Sequence, residues 1–198
     1  MNPKPYAESC DQNREPILAV LRGLFADRKA VLEIGSGTGQ HAVYFGAQLP
    51  FLQWYTSDRT ENHAGIRLWL AEAGLANVHP PLALDVTQTD WPAPAVDAVF
   101  SANTTHIMDW PAVKSLFAGL GRLLPGGGLL ALYGPFNYDG RYTSESNARF
   151  DAWLKQRDPR SGIRDVTDLN ALAAAAGLAL RDDFAMPQNN RLLCWERR

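Results

Sequence analysis

The stretch Val31-Leu-Glu-Ile-Gly-Ser-Gly-Thr-Gly-Gln-His41 joins an apolar strand to a glycine-rich turn, with an acidic residue inside the strand. Gly35, Gly37 and Gly39 let the backbone turn tightly and come close to a ligand, where a Cβ would obstruct it. This is the pattern of a nucleotide-like cofactor site. The spacing is G-x-G-x-G, whereas a dinucleotide fingerprint reads G-x-G-x-x-G, so the departure counts against NAD or FAD. Glu33 sharpens the distinction. Two residues before the first glycine, it would repel a pyrophosphate, yet it can accept hydrogen bonds from a cationic, amino-acid-bearing ligand. The alternative is a tight βα turn in an unrelated α/β protein.

The series Glu33, Gly35, Gly37 and Gly39 is similar to the first motif of class I S-adenosylmethionine-dependent methyltransferases. That resemblance implies S-adenosyl-L-methionine as cofactor, with Ser36 in the loop that holds it. It must be supported by residues further along, at the ends of later strands.

At 198 residues the chain fits one domain, 46% hydrophobic and 20% charged, with net charge −2. Nucleic acid is disfavoured as a partner, because phosphate-backbone binding draws on a strong positive balance. The two cysteines, Cys10 and Cys194, form no metal-binding spacing and suggest a reducing compartment. No apolar run approaches the ~20 residues that span a bilayer, and the first residues hold no signal-peptide core. The expectation is a cytoplasmic protein with a small-molecule substrate, no nucleic acid and no membrane; oligomeric state is left open.

Apolar runs alternate with helix-period segments, the pattern of an α/β fold around a mainly parallel sheet. The periodicity predicts helices over about 15–25, from the glycine loop to 48, 61–73, 111–124, 146–157 and 166–176. Strands are predicted over 30–34, 52–56, 78–84, 96–102, 129–133, 178–184 and 191–196, with Pro80-Pro81 weakening the third. The last two strands are joined by Met186-Pro-Gln-Asn-Asn190 and should pair antiparallel. The segment 134–143 reads as loop. Seven such strands fit the Rossmann-like class I methyltransferase fold, and the resemblance implies the order 3-2-1-4-5-7-6 with helices on both faces.

In an open parallel sheet a ligand binds beyond the carboxyl ends of the strands. The second strand leads into Asp58, a carboxylate placed to accept from the ribose hydroxyls of an adenosine, or else an N-cap for the next helix. The third leads into Asp85-Val86, where the carboxylate can accept from an adenine amino group and the valine can cover the ring; an Asx-turn is the plainer reading. After the fourth strand, Phe100-Ser-Ala-Asn-Thr-Thr-His-Ile-Met-Asp-Trp110 resembles the segment N-x-x-H-H of small-molecule methyltransferases, with Asn103 and His106 at matching positions. Asn103 is grouped with the cofactor residues. His106 is the candidate general base, since an imidazole titrates near neutrality; a loop-holding histidine is the equal alternative. His41 is read as helix surface, and His63 and His79 as structural or solvent-facing.

Asn13 and Arg14 are suited to a carboxylate, and residues 1–14 to a lid over the cofactor, against the reading of a solvated helix start. Tyr6, Tyr133, Phe136, Asn137, Arg141, Asn147 and Asn189 are candidate acceptor contacts, the aromatics alternatively packing their loop on the sheet. The polar connector 157–165 reads as a hydrogen-bonded loop, with Arg160 and Arg164 open to a wider role.

Several motifs carry a closer resemblance. Tyr6-Ala-Glu-Ser-Cys-Asp-Gln-Asn-Arg-Glu-Pro16, Tyr133-Gly-Pro-Phe136, Thr143-Ser-Glu-Ser-Asn147, Gly162-Ile-Arg-Asp165 and Met186-Pro-Gln-Asn-Asn190 are similar to the methyltransferase-like protein 26 family. That resemblance implies the fold and the cofactor without naming a substrate. A methyltransferase acting on a small molecule is the leading expectation. The alternative is a non-catalytic S-adenosylmethionine-binding or partner-regulating protein on the same fold.

Overall fold

Val31, Leu32 and Ile34 are 0–2% exposed, as a strand with neighbours on both edges and cover on both faces requires. Their strand, β1 (Ala30–Ile34), pairs in parallel with β2 (Gln53–Asp58) and with β4 (Ala98–Ala102). The computed structural model describes residues 4–92 and 94–198. The remaining elements are α1 (Glu8–Leu24), α2 (Gln40–Gln48), α3 (His63–Ala73), β3 (Val78–Ala83), α4 (Trp110–Leu123), β5 (Leu129–Gly134), β6 (Phe136–Asn137), α5 (Glu145–Arg157), β7 (Arg164–Asp165), α6 (Val166–Ala175), β8 (Leu178–Ala185) and β9 (Arg191–Arg197). The seven-stranded sheet runs β3-β2-β1-β4-β5-β9-β8, and β6 pairs with β7 in a separate two-stranded ladder. This is the Rossmann-like methyltransferase arrangement. The predicted order 3-2-1-4-5-7-6 is met once the two short strands, β6 and β7, are left out of the numbering.

The chain divides into two compact units. The first holds residues up to Asp85 and Asp90–Ser101; the second holds Val86–Thr89 and Ala102–Arg198. In the first, Phe45, Trp54 and Phe100 meet with ring centroids 5.4 to 5.9 Å apart, and His41 stacks on Phe45 at 5.2 Å. In the second, β9 pairs antiparallel with both β5 and β8, as the short connection between β8 and β9 predicts. Phe117 meets Trp195 edge-on, and the Trp195 indole donates to Asn170 Oδ1 at 2.8 Å.

Four readings need correction. α1 begins at Glu8, not near residue 15, and Pro16 sits inside it. Residues 8–14 lack an apolar stripe, but tertiary bonds hold their helix. The Gln40 amide takes the Ala7 N–H and donates to the Ala7 carbonyl, doing what a cap side chain would do. His41 is not on the surface: it is 7% exposed, its Nε2 is paired with Asn13 Oδ1 at 2.7 Å, and burial lowers its pKa to about 4. The segment 134–143 is not all loop, since β6 and a bridge between Tyr138 and Arg141 fall within it. The connector 157–165 likewise ends in β7. The Pro80-Pro81 pair is accommodated because β3 is the outermost strand, where a missing N–H breaks no second ladder. Among the described residues no helix is long and apolar enough to cross a membrane.

One core position breaks the apolar rule. Glu33, 1% exposed, accepts from Ser36 Oγ at 2.8 Å and from the Trp54 indole at 3.2 Å, and burial pushes its pKa up to about 7. The fold therefore holds the Glu33 proton more tightly than an unfolded chain does. Its penalty grows as pH rises from about 4.5 to 7 and is complete above that. Glu33→Gln is expected to stabilise the protein at pH 8, by up to about 3 kcal/mol, and to change little at pH 4.5. Thermal unfolding at the two pH values checks this; equal shifts at both would show that Glu33 is not protonated in the fold.

Candidate functional site

The glycine loop owes its shape to the end of β2. Gly35 and Ser36 both donate their N–H to the Ser57 carbonyl at 3.0 Å, and Ser57 Oγ donates back to the Glu33 carbonyl at 2.7 Å. The three glycines hold φ of +75°, +57° and +92°, a region that disfavours side chains. Around Gly37 a Cβ would find open space, and this residue is exposed. At Gly39 a Cβ would meet the Ile66 backbone at 3.2 Å, so this glycine serves the approach of α3.

Asp58 is half-buried beside this loop. Its Oδ2 accepts the Gly37 N–H at 2.7 Å, and its Oδ1 accepts from Arg59 N and the Asn62 amide. The carboxylate thus already positions the loop and the following 3-10 turn. Asp85 lies half-buried in the same unit, and its field, like that of Asp58, raises the pKa of Arg59 after the dominant pairing with Glu61. His63, 8% exposed, points its Nε2 at the Asp58 carbonyl. The first unit therefore gathers Glu33, the loop, Asp58 and Asp85 at the ends of three adjacent strands. Ionised, Glu33 can accept hydrogen bonds from a cation, and the two aspartates can accept from hydroxyl or amino groups.

The N-terminal segment closes over the helices of the same unit. Lys4 stacks on Trp69 at 3.7 Å and pairs with Glu72, and the Trp69 indole donates to the Pro5 carbonyl at 2.7 Å. Pro5 fits where α3 has Gly65, whose Cβ would come within 2.4 Å of the proline ring. Asn13 is taken up by His41. Arg14 pairs with Asp11 at 2.5 Å and lies over Tyr44, with its Nε buried and unpartnered. Tyr6, 61% exposed, donates its hydroxyl to Asp11. Residues 1–3 of the expected lid lie outside the described residues. Gln40, Trp54 and Trp69 escaped the sequence reading, because each acts through a partner more than 20 residues away.

In the second unit, β4 gives way to Asn103, a non-glycine residue at φ +58° whose N–H donates to the Tyr133 carbonyl. His106 follows, 6% exposed, edge-on to Phe150 at 5.3 Å. Burial, and then the Arg164 charge, lowers its pKa to about 4, and its Nδ1 has no hydrogen-bond partner. The residues around it are clamped by the 160s. Arg164 donates to the carbonyls of Thr105, Met108 and Arg160, Gly162 N–H donates to the His106 carbonyl at 2.9 Å, and Ser161 Oγ donates to the Ile107 carbonyl. Arg160 is instead exposed and paired with Asp158.

The proposed acceptor contacts divide. Tyr133 is buried with its hydroxyl accepting from Asn190, and Phe136 is fully buried, so its ring serves packing. Asn147 binds Thr143 Oγ1 and the Asn189 carbonyl, and Asn189 reaches Ser146, so these two tie α5 to the β8–β9 turn. Arg141 is exposed in the bridge with Tyr138. Asn137 keeps a buried Oδ1 without a partner. Val86 is 8% exposed.

Known structures share this fold. An O-methyltransferase family protein from Burkholderia thailandensis superposes with a TM-score of 0.81 at 19% identity, over 92% of this chain and 55% of that one. The mitomycin 7-O-methyltransferase MmcR gives 0.84 at 17% identity, over 96% and 54%. Human N-acetylserotonin methyltransferase, solved in complex with SAM, gives 0.80 at 14%, over 96% and 53%. The chain thus spans about half the length of these structures, and at such identities the likeness is one of fold. The sequence itself matches, over residues 4–197, the family described as "protein of unknown function (DUF938)", and the chain belongs to that family.

Proposed function

We propose that the chain is an S-adenosylmethionine-dependent methyltransferase acting on a small molecule. The observation that carries this reading is a buried Glu33 beside a glycine loop, with Asp58 and Asp85 after the next two strands. A fold that needed only stability would not bury a carboxylate there. Glu33 would accept from the cofactor's ammonium, Asp58 from the ribose hydroxyls and Asp85 from the adenine amino group, with Gly35, Ser36, Gly37 and Gly39 as the cradle. The open space at Gly37 fits a ligand against the backbone. Residues 4–14 would serve as a lid, with Asn13 and Arg14 at its base. The motifs around residues 6–16, 133–136 and 186–190 support a kinship with the methyltransferase-like protein 26 family.

The cofactor supplies a methyl group on a sulfonium, which departs as a neutral thioether and needs no acid. The protein's part is alignment and, for an O–H or N–H acceptor, removal of a proton. We assign that proton to His106, which is neutral at physiological pH and sits above the clamp formed by residues 161–164. Tyr133, Asn137, Arg141, Asn147 and Asn189 would shape the surroundings of the acceptor.

Calorimetry with S-adenosylmethionine and its demethylated product tests the cofactor. Binding is expected; Glu33→Gln should weaken it about tenfold to hundredfold, through loss of a charged hydrogen bond of about 1.5–3 kcal/mol. Affinity for wild type should fall as pH drops below 7, as Glu33 takes up its proton. No binding by the folded protein would end this reading. Trp69→Ala, which releases residues 4–5, should speed cofactor dissociation, read by stopped flow; an unchanged rate argues against a lid.

Incubation with labelled S-adenosylmethionine and a metabolite extract should identify a methylated small molecule. His106→Ala should lower its formation by about 10²-fold or more with cofactor affinity unchanged. The acid limb of turnover should lie well below pH 6, because His106 protonates near 4. A limb at 6.5 would point to another base. Cofactor binding without any product across the extract would favour a non-catalytic protein.

A further inference from the structure

Gly134, the last residue of β5, has no positive φ and so no conformational need to be glycine. A Cβ built there would stand 3.7 Å from Asn103 Oδ1 and 3.8 Å from His106 Nδ1. Those are the distances of ordinary contact, so the space is a notch of about one methyl group, bordered by two polar atoms. Two other glycines of this unit answer to packing: at Gly121 the Ala176 carbonyl, and at Gly177 the Arg197 guanidinium, would collide with a side chain. Nothing collides at Gly134.

The atoms bordering the notch are held there at a cost. His106 Nδ1 is buried without a partner, a desolvation penalty that native structures rarely leave standing away from functional sites. Asn103 adopts the left-handed conformation, and its backbone is pinned by donation to the Tyr133 carbonyl, one residue before Gly134. The carbonyls of Thr105 and His106 are fixed by Arg164 and Gly162. Ring and amide thus converge on the missing side chain.

We propose that the notch at Gly134 is the docking point for a hydrogen-bearing polar group of the acceptor, an O–H or an aromatic N–H, received by His106 Nδ1 with Asn103 Oδ1 beside it. This rests on the methyltransferase reading and deepens it. It assigns Gly134 as the residue that admits the reacting group, and it moves Asn103 from the cofactor to the acceptor. Groups without a polar hydrogen would leave His106 Nδ1 unpaired and are discriminated against.

The test reads the imidazole directly. In ¹⁵N-histidine-labelled protein, with the His106 signals assigned by their loss in His106→Gln, phenol and aniline serve as the hydroxyl and amino probes and anisole as the ring without a donor. Phenol or aniline is expected to shift the unprotonated ring nitrogen of His106 toward the protonated range. Anisole should leave it in place, and Gly134→Ala should lose the response. A comparable shift with anisole, silence with both donors, or a wild-type response in Gly134→Ala would overturn the proposal. The phenol–anisole comparison on wild type stands even if the variant folds poorly. Calorimetry with S-adenosylmethionine on the same samples separates the two ideas: lost cofactor binding counts against the methyltransferase reading, and a silent His106 with cofactor binding intact counts against the notch alone.

Discussion

A single buried carboxylate organises the first unit. Glu33 sits where its strand would otherwise carry an aliphatic side chain, and the desolvation it suffers is offset only in part by Ser36 and Trp54. The same serine receives the Ser57 N–H on its hydroxyl, so β1, the loop and the end of β2 share one set of hydrogen bonds. Gly37 then hands its N–H to Asp58, carrying the connection to the start of the next turn. Disturbing any one of these groups moves the others. The loop is thus held in shape by the protein's own hydrogen bonds.

The second unit solves a related problem differently. His106 lies on an irregular segment, where backbone carbonyls need donors that no helix or strand supplies. The guanidinium of Arg164 and the N–H of Gly162 provide them, at a separation of more than 55 residues in sequence. Within the connector 157–165, Ser161, Gly162 and Arg164 thus brace the segment after β4, while Arg160 stays exposed beside Asp158.

Much of the sheet was legible because buried parallel strands are short apolar runs, and Asp58 and Asp85 were legible because they stand where those runs stop. The start of α1 was not. Residues 8–14 show no apolar period, and their helix depends on Gln40 and His41, which come from another element. His41 itself looked like surface because a histidine on a first turn usually is; only α1, packed over it, removes the water. β6 and β7 are two residues each, too short for any period to register. At Gly134 the sequence shows a glycine within Tyr133-Gly-Pro-Phe136 but not what it faces, since Asn103 and His106 approach it from another strand end.

The proline pair in β3 has one more effect. An outermost strand exposes a row of backbone donors and acceptors on which another chain can build. Pro80 and Pro81 are consecutive, so one of them removes a donor from that row on β3. On β8, the other outermost strand, the ladder is irregular between Leu180 and Asp182, and Arg181 there is engaged with Asp182 and Glu196. Each border strand thus carries its own obstacle to templated strand addition, so the sheet resists growing into its neighbours in a crowded solution.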